Sequence, residues 1–175
     1  MPKEKMPISI LNKMDDEYIK IVKEIITNPE FIKRRIYHHH ENRSVYGHCL
    51  LVSIRAYYIA RFFNLDYKSA AISGLLHDFY YNDWQLSQRK GPLFEAHGFT
   101  HAKQALENSK FFFPELMNKK VENAIKRHMF PLNIVPPLYL ESWIICLVDK
   151  YCSFEIFKKP KNLYKYIGYK GKKVV

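Results

Sequence analysis

The tetrapeptide Leu75-Leu76-His77-Asp78 limits what this chain can become more than any other stretch. It sets an imidazole beside a carboxylate at the end of an apolar run that includes the small residues Ala70, Ala71 and Gly74. Apolar helices bury readily. An unpaired buried carboxylate either costs several kcal/mol or takes up a proton. A fold that buries this run must therefore compensate the pair. A metal ion is the simplest compensation, and it requires further ligands from elsewhere in the chain.

The rest of the chain reads as helices. Asp15 or Asp16 to about Ile26 carries Tyr18, Ile21, Val22 and Ile25 at helical spacing and stops at Asn28-Pro29. Ile32 and Ile36 mark a short helix before His38-His39-His40, of which one or two at most can face a common point. Ser44 is an N-cap for a helix over about Val45–Phe63, with Val45, Cys49, Val52, Ala56, Ile59, Ala60 and Phe63 on one stripe. Asp66 is placed to cap the helix that leads into His77-Asp78. Further helices are expected over about Gly98–Asn108, Glu115–Met129 and Leu138–Phe157. No run of five or more residues alternates as a strand would. The expectation is an all-α, single-domain bundle of six or seven helices. It spans 15–157, with a loose lead-in at 1–14, an aromatic-rich loop from 79 to about 96 and a tail at 158–175.

Composition narrows the class. Hydrophobic residues make up 47 % and charged residues 26 %, as in a globular protein with a core. No apolar run reaches the ~18 residues of a bilayer span, and the first residues lack a secretory core, so a cytoplasmic protein without a membrane partner is expected. The three cysteines, Cys49, Cys146 and Cys152, suit reduced, buried thiols. The net charge of +11 looks like a nucleic-acid signal until it is located. Seven lysines and no acid lie from Lys158 onward, so most of the excess belongs to the tail.

Several ionisable residues fall on apolar stripes. His48 lies between Val45 and Val52, His128 follows Val121, Ala124 and Ile125, and Asp149 interrupts Ile144-Ile145-Cys146-Leu147-Val148. His97 and His101 are four apart and share a helix face. Each histidine alone is more simply a hydrogen-bonded core residue. Jointly, separate helices each send a His or Asp inward, as bundles do when they build metal sites. Imidazole and carboxylate without thiolate disfavour a structural zinc site. They suit one or two ions of Fe, Mn, Co, Ni or Zn with open positions. His48, His77, Asp78 and Asp149 would hold one ion. His97, His128 and, as an additional candidate, His101 would hold a second, with Asp78 bridging. Two such ions ~3.5–4 Å apart would share a hydroxide and clamp a phosphoryl group.

The ordered set His48, His77-Asp78 and Asp149 resembles the HD superfamily of metal-dependent phosphohydrolases, whose defining pattern is H…HD…D. The resemblance runs from about Ser44 to Tyr151. With His97 and His128 it is similar to the six-ligand, two-metal bacterial members that cleave diadenosine tetraphosphate symmetrically. It implies hydrolysis of a phosphoester or phosphoanhydride of a nucleotide or related small molecule by a metal-bound hydroxide. His48, His77, Asp78 and Asp149 would bind one metal, and Asp78, His97 and His128 the other. His101 stands where those members have a small residue.

Phosphate also needs cations. Lys150 follows a ligand, Arg127 precedes one and Arg43 lies before the His48 helix, so Asp78, Lys150 and Arg43 are the expected catalytic residues. Tyr80, Tyr81 and Trp84 are candidates for stacking on a base, and Asp83 for orienting a water. Two other readings compete: nucleic-acid binding through the tail, where Tyr164, Tyr166 and Tyr169 interleave with lysines, and a catalytically silent nucleotide sensor on the same scaffold.

Overall fold

The computed structural model describes residues 16–39, 43–81 and 97–155. The expected lead-in, the aromatic segment beyond Tyr81 with Asp83 and Trp84, and the lysine tail all lie outside them. So do the side chains of His38, His39, Arg43 and His97.

The described chain is all-α apart from one two-residue pairing. Helix α1 is Asp16–Thr27 and α2 is Pro29–Ile32, followed by a 3-10 turn over Lys33–Arg35. Strands β1 (His38–His39) and β2 (Arg43–Ser44) pair antiparallel, with His38 opposite Ser44. Then come α3 (Val45–Phe62), α4 (Tyr67–Leu76), α5 (His97–Phe112), a 3-10 turn (Pro114–Leu116), α6 (Lys119–Arg127) and α7 (Leu140–Glu155).

The caps follow from local chemistry. Asn28 Oδ1 accepts from the amides of Glu30 and Phe31, Ser44 Oγ from Gly47, Asp66 Oδ1 from Ser69, and Asn118 Oδ1 from Lys120 and Val121. Two boundaries differ most from the sequence reading. Helix α5 runs on to Phe112, because nothing breaks it before Pro114, and Phe113 is buried. The helix expected from Glu115 is split, because Pro114 opens a single turn and Asn118 starts a new helix.

Helix α4 is the centre of the bundle and packs against α1, α3, α6 and α7. One apolar cluster joins Tyr18, Val22 and Ile25 of α1 to Tyr57 of α3, Leu75 and Leu76 of α4, Phe79 and Phe113. Another joins Val52, Ala56 and Ala60 of α3 to Ala70, Ala124, Ile145, Val148 and Cys152. The crossing of α3 and α4 is very close: a Cβ on Gly74 would lie 2.4 Å from Ser53 Cα and 2.7 Å from Ser53 N. Only glycine permits that approach. Ser53 Oγ donates to the Ala71 carbonyl at 2.7 Å and contacts the Tyr18 hydroxyl at 2.8 Å, which satisfies its buried hydroxyl.

Candidate metal centre

Five helices deliver the site. His48 lies in the first turns of α3, His101 in α5 and Asp149 in α7, whereas His77 and His128 are the residues that cap the C-termini of α4 and α6. Because α4 stops at Leu76, His77 and Asp78 leave the helix at the middle of the bundle. His48, His77, Asp78, His128 and Asp149 are buried, and the side chain of His101 is 12 % exposed.

The side chains form two groups that share Asp78. In the first, His48 Nε2 is 3.0 Å from Asp149 Oδ1. His77 Nε2 lies 3.5 Å from both Asp149 Oδ1 and Asp78 Oδ2. In the second, Asp78 Oδ1 is 3.6 Å from both His101 Nε2 and His128 Nε2. Those two imidazole nitrogens are 3.1 Å apart. Ligands at bonds of ~2.1 Å stand ~3.0–3.4 Å from one another around a tetrahedral or octahedral ion. Both groups therefore have the spacing of a coordination sphere.

The protons point the same way. His77 Nδ1 donates to the Gly74 carbonyl at 2.9 Å, and His128 Nδ1 to the Ile125 carbonyl at 2.7 Å. Each bond assigns the proton to Nδ1 and leaves a lone pair on Nε2, the usual preparation of a metal-binding imidazole. For His77 that lone pair is buried without a hydrogen-bond partner and faces two carboxylate oxygens. The arrangement is repulsive unless a cation, either a proton or a metal, sits between them. Burial alone would lower the His77 pKa, but Asp78 and Asp149 outweigh it and raise it to about 9. Burial would raise Asp78, yet His77, His101 and His128 hold it far below the usual carboxylate range. Asp149 is likewise held low against burial, by the neighbouring imidazoles of His48 and His77. His128 falls to about 4 through burial and the positive field of His77 and His101. A divalent ion in either group would relieve the same strain, so the residues present fit a metal.

The expected residues are thus placed as follows. His48, His77, Asp78, His128 and Asp149 come together. His97 opens α5, with its side chain outside the described residues, while His101, one helical turn later, meets Asp78 and His128. Its signal was present in the sequence, since His101 shares a face with the buried Ala105 and Ser109. Lys150, expected to contact phosphate, has its ammonium against the backbone. Its Nζ donates to the carbonyls of His128 (2.9 Å) and Cys146 (3.3 Å) and lies 3.2 Å from Cys146 Sγ. Arg127 Nη1 donates to Asn133 Oδ1, at the loop after α6. Tyr80 is buried, with its ring centroid 5.4 Å from that of His101.

A family model described as HD domain matches residues 45–153, from the start of α3 almost to the end of α7, and takes in both groups. No curated protein and no solved structure matches.

Proposed function

The chain belongs to the HD-domain family, whose members are typically metal-dependent phosphohydrolases, and we propose that it hydrolyses a phosphoester or phosphoanhydride of a nucleotide or related small molecule. The observation that carries this reading is the His77 lone pair, fixed toward Asp78 and Asp149 by the Gly74 carbonyl. His48, His77, Asp78 and Asp149 would hold one divalent transition metal, and Asp78, His101 and His128 a second. When bound, the ions would supply Lewis acidity for the phosphoryl oxygens and an acidified water as nucleophile.

The chain's own residues perform the rest. Asp78 offers Oδ2 to one group and Oδ1 to the other, so a single carboxylate sets their separation. Gly74 and Ile125 orient the imidazoles through their carbonyls. Burial keeps bulk water from competing for the ligands, and the partial exposure of His101 marks the open side of the second group. Lys150 supports His128 from behind. A dinucleoside polyphosphate is the first substrate to try, because the sequence pattern that includes His97 and His128 is similar to that of the symmetrical diadenosine tetraphosphate hydrolases.

The test is metal analysis of the purified chain, followed by phosphate release from a nucleotide panel with and without EDTA. Bound transition metal and EDTA-sensitive turnover are expected. Undiminished turnover in a His77→Ala/Asp78→Ala variant would refute the reading.

A further inference from the structure

Arg34 does not belong to either ligand group, and it is the most anomalous side chain in the core. It sits in the short 3-10 turn Lys33–Arg35 and is fully buried. Its guanidinium lies 4.8 Å from the ring centroid of Tyr37, 4.7 Å from that of Tyr81 and 5.4 Å from that of Phe79. Its Nη1 donates to the Tyr80 carbonyl. Nε and Nη2 are buried with no hydrogen-bond partner, and among the described residues no carboxylate pairs with it. Burial pulls its pKa down, and the nearby Tyr37 and Tyr81 oppose this. Aromatic faces recover part of the desolvation cost. They do not satisfy two orphaned N–H groups, and an apolar side chain would fill the same cage without that cost.

What the guanidinium holds is the backbone just past His77-Asp78. Beyond Leu76 the chain is no longer helical, and its carbonyls need partners. The Phe79 carbonyl accepts from Asn108 Nδ2 at 2.8 Å, on α5. The Tyr80 carbonyl accepts from Arg34. The segment that presents Asp78 is thus pinned by α5 through one carbonyl and by Arg34 through the next. Tyr80 in turn carries the ring that packs beside His101.

We propose that Arg34 is a positioning residue for Asp78. It is retained at a cost to stability because it fixes the turn that lets one carboxylate serve both ligand groups. The proposal rests on the two-ion reading above. It predicts that stability and metal binding respond oppositely to its removal, which a residue with a purely structural role would not show.

Cobalt(II) titration of the apo full-length chain, followed by visible absorption and calorimetry, tests this alongside thermal melting of the apo form. In the wild type two binding steps are expected. In Arg34→Met the melting temperature should hold or rise, while affinity for the second ion falls at least about tenfold. In Arg34→Ala, guanidinium chloride at low millimolar concentration should refill the cage and restore part of the second step. Arg34→Lys, which keeps a donor for the Tyr80 carbonyl, should fall between wild type and Arg34→Met, and carries the test if Arg34→Met does not fold. Two unchanged steps in a folded Arg34→Met or Arg34→Lys chain would overturn the proposal and leave the two-ion reading intact. Failure of the wild type to bind cobalt would overturn both.

Discussion

Gly74→Ala tests the link between helix packing and the metal centre. The new methyl group would lie 2.4 Å from Ser53 Cα and 2.7 Å from Ser53 N, both backbone atoms of α3 that cannot rotate away. Restoring ordinary carbon–carbon contact at ~3.5 Å requires α3 and α4 to part by about 1 Å at the crossing. Overpacking of this kind costs ~1–3 kcal/mol, against up to ~1 kcal/mol gained from the better helix propensity of alanine. The net should be a loss of ~1–2 kcal/mol, and at ~2–4 °C per kcal/mol the apo chain should melt several degrees lower. The sharper effect is on the ligands. The Gly74 carbonyl orients His77, and His48 sits on the helix being pushed away. Loss of such support typically lowers metal affinity ~10–100-fold. Differential scanning calorimetry of the apo chain and cobalt(II) titration read the two effects separately. A variant that melts at or above wild type and binds metal unchanged would refute the argument, since alanine would then be tolerated at this close backbone approach.

The other expectations concern protons, carboxylates and Lys150. In EDTA the folded pKa of His77 is about 9 and that of His128 about 4. The raised His77 value contributes stability present below pH ~6.5 and lost as pH rises toward 9, whereas the lowered His128 value costs stability as pH falls from ~6.5 toward 4. Apo stability should therefore peak near pH ~6.5 and fall by roughly 3 kcal/mol on each arm, and metal should flatten the alkaline arm. Urea titrations across pH measure this, and a rise in apo stability from pH 7 to 9 would contradict it. Asp78→Asn should abolish binding of both ions, while Asp149→Asn should spare the one at His101 and His128, as read by metal stoichiometry. Lys150→Met should leave the His128 carbonyl without its donor, costing ~1–3 kcal/mol and weakening the second ion. A raised KM with unchanged metal binding would instead return Lys150 to a phosphate-binding role.

What could be read in advance depended on distance along the chain. The caps at Ser44 and Asp66 were legible because the accepting oxygen and the donating amide lie within three residues. His48 and Asp149 are 101 residues apart, yet both were legible, since each is a polar residue on an otherwise apolar helix face. His97 and His101 share a face by spacing alone, and it is the packing of α5, with Ala105 and Ser109 buried, that brings His101 to Asp78. Lys150 could not be oriented from its place beside Asp149, because neighbours on a helix diverge by ~100°. Arg34 gave no signal at all. In Lys33-Arg34-Arg35 it reads as one of three solvated charges, and only Phe79 and Tyr81, more than forty residues away, make it the buried one.

The charge balance of the site connects ion count to substrate. The two groups hold two carboxylates and four imidazoles. One divalent ion is neutralised by Asp78 and Asp149 together, which leaves no electrostatic reason for a phosphate to enter a buried centre. A second ion would add two positive charges that no further acid of the groups offsets. An excess of that size in a low-dielectric interior must be met by anions, and a hydroxide with phosphoryl oxygens supplies them. The second group is the one with a partly open histidine and with a carboxylate borrowed from the first. A phosphate-seeking site on this scaffold therefore depends on its weaker half. The residues that hold that half in place, the half-buried Lys150 behind His128 and the buried Arg34 behind the turn after Asp78, spend their charges on backbone carbonyls rather than on substrate.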